Sequence, residues 1–97
     1  MWTIKYSKQA VKDSKKIEQA NLKQSVINLV EVLKVNPFQN PPPYEKLVGD
    51  LTGKYSRRIN IQHRLVYEII NEEVTINDAK YEGTVKIIRM WTHYDNL

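Results

Sequence analysis

Ninety-seven residues supply enough chain for one hydrophobic core and too little for two, so a single domain over 1–97 is expected. No cysteine, three glycines and four prolines exclude disulfide scaffolds, thiolate nucleophiles, Cys-based zinc sites, collagen and low-complexity disorder. Fifteen Lys+Arg against eleven Asp+Glu leave a net +4. No apolar run approaches the roughly 20 residues of a membrane span, and the N-terminus lacks a signal peptide's apolar core, so a soluble, cytoplasmic protein with no membrane partner is expected.

Trp2, Ile4 and Tyr6 alternate with polar residues, as in a short strand. Ser7 suits the N-cap of a lysine-rich helix over about 8–20, with Ala10, Val11, Ser14 and Ile17 inward. Asn21 is the expected cap of a second helix. Its stripe, Leu22, Val26, Leu29, Val30 and Leu33, follows the helical period, and Asn36-Pro37 ends it. The two helices should form an antiparallel hairpin. Residues 36–53 hold all four prolines and two of the three glycines, an irregular segment that Phe38, Tyr44, Leu47 and Leu51 are spaced to pin to the body.

From Tyr55 the pattern alternates, with Tyr55, Arg57, Ile59 and Ile61 on one face and Lys54, Ser56, Arg58 and Asn60 on the other. His63–Ile70 reads as a second strand, Val74–Tyr81 as a third weakened by Asn77 and Asp78, and Val85–Thr92 as a fourth after a Glu82-Gly83 turn. The fold class is therefore α+β: an N-terminal strand and a two-helix hairpin packed on a twisted, mostly antiparallel sheet of four to five strands.

The charge is unevenly placed. Residues 1–35 carry seven Lys and three acids, whereas 36–97 balance eight bases with eight acids and hold all four arginines. Lysine populates solvated faces; arginine suits a phosphate or carboxylate gripped in fixed geometry. Two histidines thirty residues apart give no metal-ligand spacing, and three isolated glycines make no phosphate loop, so neither metal nor cofactor is expected. A Ser56–His63–Glu68 triad is set aside, because nothing places Ser56 on a nucleophile turn.

Glu45, Arg58, Arg64 and His93 form the set with chemical meaning. A carboxylate, two guanidiniums and an imidazole are the parts for metal-free RNA cleavage. That reaction needs a base for the 2′-hydroxyl, cations on the phosphate oxygens and an acid for the departing 5′-oxygen. From the residues alone a bland reading stays open. Glu45 could be solvated, Arg57 and Arg58 could pair across strands with Glu68 or Glu72, and His93 could simply end a strand.

The strings Leu51-Thr52-Gly53, Ser56-Arg57-Arg58-Ile59, His63-Arg64-Leu65-Val66-Tyr67 and His93-Tyr94, after a proline loop and Glu45-Lys46-Leu47, resemble the YoeB/Txe branch of the RelE-like toxins of type II toxin–antitoxin systems. The resemblance implies a ribosome-dependent endoribonuclease that cuts mRNA in the ribosomal A site and inhibits translation. It implies Glu45 as general base, His93 as general acid, Arg64 on the phosphate, and Arg58 and Tyr94 on the RNA. It further implies ribosome and mRNA as partners, a cognate YefM/Axe-like antitoxin with an acidic C-terminal segment, and a homodimer. A family lysine is Val48 here, with Lys46 nearby as a substitute; Asn77–Thr84 looks like an insertion, and Asp95-Asn96-Leu97 follow the usual terminus. Two other readings are a ParE-like, non-enzymatic gyrase poison and a plain RNA- or ribosome-binding module.

Overall fold

The computed structural model describes residues 1–93, with side chains to Trp91. Strand β1 (Thr3–Tyr6) leads into helices α1 (Lys8–Gln19) and α2 (Lys23–Val35), followed by β2 (Tyr44–Lys46) and a 3-10 turn at Gly49–Leu51. Strands β3 (Lys54–Arg58), β4 (His63–Ile70), β5 (Val74–Ile76), β6 (Ala79–Tyr81) and β7 (Thr84–His93) complete the described residues. Five strands form one mixed sheet in the order β1-β7-β4-β3-β2, in which only β1 and β7 run parallel. This is the expected α+β architecture. Among the described residues no helix is long and apolar enough to cross a membrane.

Ser7 caps α1, its hydroxyl accepting the Ala10 N–H at 3.0 Å, which stabilises the first turn by about 1 kcal/mol. The inner face of α1 differs from the expected one: Ala10, Asp13 and Ile17 are buried, while Val11 and Ser14 are exposed. Asn21 does not cap α2 either. It sits at φ 60 after α1, and Leu22 is the N-cap without a side-chain bond. The α2 stripe is as expected, with Val26, Leu29, Val30 and Leu33 buried; complete burial of such a side chain contributes roughly 1.5–3 kcal/mol. These residues join Ala10 and Ile17 in one core with Leu65, Tyr67, Val85 and Ile87 of the central strands.

The irregular segment holds a three-residue edge strand, β2, too short to register as alternation. Residues 74–81, expected as one strand, form a separate hairpin in which β5 and β6 pair only with each other. Asn77 and Asp78, at φ 50 and φ 68, make its turn, a conformation these residues tolerate better than most. Ile61, expected on a strand face, lies past the end of β3 and is exposed.

Arg57 anchors the proline segment. It is 1% exposed on the core side of β3, and its guanidinium donates to the carbonyls of Pro37 (3.0 Å), Gln39 (2.9 Å) and Pro42. Its Nε donates to the Tyr67 hydroxyl at 3.1 Å, and its charge lies 5.0 Å from the centre of the Tyr44 ring. Phe38 adds an edge contact with Trp2, and Tyr44 another with Tyr55. The open alternative, Arg57 paired across strands with Glu68 or Glu72, is therefore not the arrangement found. Lys54 takes Glu68 instead, at 3.9 Å.

Candidate active site

Antiparallel pairing sets Glu45 opposite Ser56 and Arg58 opposite Arg64. Directly paired residues share a face, and alternation returns to that face every second residue. Glu45, Ser56, Arg58 and Arg64 are thus brought together on the side of the sheet opposite Tyr44, Arg57 and Tyr67. They line an open groove of about 520 Å³, with Pro43 and Ile61 at its walls.

At its centre lies the Arg64 side chain, only 4% exposed, while that of Glu45 is 59% exposed. Arg64 Nη1 lies 3.0 Å from Glu45 Oε2 and donates to Ser56 Oγ at 2.9 Å; Nη2 donates to Glu45 Oε1 at 3.3 Å. This fork-on-carboxylate arrangement fixes the plane of the guanidinium. Ser56 thereby serves Arg64 rather than His63, and Glu68 serves Lys54, so the discarded triad does not form. His63 is buried, its ring stacked 3.9 Å from that of Trp91.

Lys46 does not join the groove. Its register partner is Tyr55, on the other face of the sheet, so it cannot stand in for the family lysine while β2 keeps this pairing. Val48, at the family position, is 83% exposed. The backbone of His93 is set opposite His63, next to the Arg64–Thr92 pair. The His93 side chain and the whole of Tyr94 lie outside the described residues. Among the described residues no group of three or more His, Asp or Glu could hold a metal ion.

The open face is basic beyond the groove. Lys54, Glu68 and Lys86 pair in one row across β3, β4 and β7, and Arg89 lies opposite Val66. On the core side, burial pushes the Tyr67 phenol above the ordinary tyrosine value, the neighbouring Arg57 charge only partly offsetting it.

The family model for the YoeB-like toxin of bacterial type II toxin–antitoxin systems matches residues 6–83. The chain belongs to this family. Toxin YoeB of Mycobacterium bovis is 39% identical over 56 residues, 58% of this chain and 66% of that relative's own length. Toxin YoeB of Synechocystis is 33% identical over 69 residues, 71% of this chain and 73% of that relative. Among solved structures, the toxin in the heterotetrameric YoeB–YefM complex of Staphylococcus aureus is 31% identical, with a TM-score of 0.69 over 97% of this chain and 99% of that one. The YoeB-like match stops at Gly83, before β7 and His93.

Sequence reasoning missed Arg57 as the residue that holds the proline loop. Its signal was present: alternation set a guanidinium on the core face beside Tyr55 and Ile59, where a charge must find several acceptors.

Proposed function

We propose that this YoeB-like chain is an endoribonuclease that cleaves mRNA in the ribosomal A site, in the cytoplasm, by metal-independent acid–base catalysis. The observation that carries the reading is the buried Arg64 guanidinium, held by Ser56 and directed at Glu45 inside an open, arginine-rimmed groove. Glu45 takes the 2′-hydroxyl proton, and the 2′-oxygen attacks the adjacent phosphorus. The bond from phosphorus to the 5′-oxygen breaks, leaving a 2′,3′-cyclic phosphate, and the 5′-oxygen takes its proton from His93. Arg64 shares its donors between Glu45 and the phosphate oxygens as charge builds there. Arg58, exposed on the same rim, grips the neighbouring phosphate, and Tyr94 orients the RNA.

The basic open face also suits an acidic partner, and the S. aureus relative is found in a complex named for YoeB and YefM. A YefM-like antitoxin whose acidic segment covers the groove would block RNA by charge and by volume. A homodimer is part of the same reading, as another S. aureus structure is described as a YoeB dimer.

The test is cleavage of mRNA on translating ribosomes, with message ends mapped. Replacing a general acid or base should cost on the order of 10²-fold or more, so Glu45→Gln and His93→Ala should each lose at least that much. Equal cleavage by both variants and the parent chain would sink the mechanism. Gyrase inhibition without cleavage would establish the poison reading, and ribosome binding indifferent to Glu45, without cleavage, the plain binding module.

A further inference from the structure

The mechanism above leaves one buried carboxylate without a role. Asp13, on α1, is 3% exposed, and its Oδ2 accepts the backbone N–H groups of both Met90 (3.0 Å) and Trp91 (3.2 Å) of β7. Its Oδ1 accepts from Gln9 Nε2 at 2.8 Å. A helix carboxylate bonded to two consecutive strand amides marks a place where the strand ladder has let those amides go.

The register identifies that place. Tyr67 pairs with Ile87 and Arg64 with Thr92, so three steps along β4 match five along β7. The slips fall between Tyr67 and Val66 and between Val66 and Arg64. The Ser7 hydroxyl donates to the Ile88 carbonyl at 2.6 Å beside the first slip, and Asp13 takes the amides at the second. Extending the Tyr67–Ile87 register without slips would put Met90 opposite Arg64 and Trp91 opposite His63. Residue 93 would then fall past the end of β4. With both slips in place, the His93 backbone stands opposite His63, one position from Arg64.

We infer that Asp13 is a positioning residue for the end of β7: its carboxylate holds the slipped register that sets the His93 backbone opposite His63, one position along from the Arg64–Thr92 pair. Two N–H groups on one charged oxygen are charge-assisted bonds in a dry site, which a neutral acceptor reproduces only in part. The site consequence rests on the proposed role of His93; the register consequence does not.

The experiment therefore reads both. In Asp13→Ala, cross-strand NMR contacts His63–His93 and Arg64–Thr92 should be lost or broadened. Cleavage should fall about 10- to 100-fold in kcat with KM little changed, approaching the loss expected for His93→Ala. Asp13→Asn guards against failure of the alanine variant to fold. It should keep the contacts but speed amide exchange at Met90 and Trp91 at least about 10-fold relative to β4, as expected for weakened local bonds. Val26→Ala, a core truncation in α2, controls for general destabilisation and should change neither register nor those amides selectively. Unchanged contacts in Asp13→Ala, or in Asp13→Asn exchange at Met90 and Trp91 no faster than in Val26→Ala, would overturn the inference. If the register shifts as expected while His93→Ala cleaves normally, the positioning of β7 stands and the acid assignment fails.

Discussion

Arg57 and Arg64 are both almost wholly buried, at 1% and 3% exposure, yet they face opposite sides of the sheet and do different things. Arg57 is spent on carbonyls and a phenol, a set that satisfies its charge with dipoles and ties the proline segment down. Arg64 is paired with a carboxylate exposed to the groove, so an incoming phosphate can compete for it. Strand alternation made this division legible, since 57 and 64 differ in face once β3 and β4 are paired. The carbonyl partners of Arg57 were not legible, because they lie 15 to 20 residues away in a segment without periodicity. The same cluster carries a pH dependence. Burial raises the pKa of Tyr67, and also that of Tyr6, above the ordinary 10.0, so folding favours the protonated phenols. Their contribution is complete below about pH 10 and is lost as pH rises through the folded-state values. Thermal melts across this range should show stability falling on the alkaline side, and Tyr67→Phe should flatten part of that fall. An identical alkaline slope in Tyr67→Phe would mean the phenol is not among the groups responsible.

Helical elements were the most legible, because a stripe repeating every three or four residues is written in neighbouring positions. Val26, Leu29, Val30 and Leu33 show it. The 74–81 segment was misread as one strand because alternation runs on through a turn whose only marks are Asn77 and Asp78. Strand β2 was missed for the opposite reason. Three residues after a proline run carry no period, and only the neighbouring β3 makes Tyr44–Lys46 a strand. The hairpin returns to the sheet at Gly83, where the fit is tight. A Cβ there would stand 2.5 Å from the Ile70 carbonyl oxygen and 2.5 Å from the Trp2 ring, closer than real contacts allow. Gly83→Ala should therefore destabilise the fold by about 1–3 kcal/mol, the range for forcing extra volume into a packed site. Urea unfolding measures this, and an unchanged midpoint would show that Trp2 moves aside without penalty.

Across the whole molecule, the basic charge separates into two features. Lysines stud the two helices, whereas Arg58, Arg64, Arg89 and the Lys54–Glu68–Lys86 row occupy the open side of the sheet. RNA seated in the groove should answer to the second feature. For a single strand the logarithm of affinity falls with the logarithm of salt by about 0.7 per phosphate neutralised. Arg58→Ala should thus lower that slope by roughly 0.7 in titrations with a short RNA, while Lys12→Gln leaves it unchanged. A reversed pattern would move the RNA to the helices. The amino-acid sequence by itself determined the helices, the alternating strands, the absence of thiol chemistry and the YoeB-like motif that marks Glu45 and Arg64, because each is carried by residues close together in the chain. Tertiary structure alone decided that Lys46 faces away from the groove, that Arg57 holds the loop, and that β7 slips two places to set His93 opposite His63. Those outcomes depend on which distant backbone supplies the next hydrogen bond, and no local period encodes that choice.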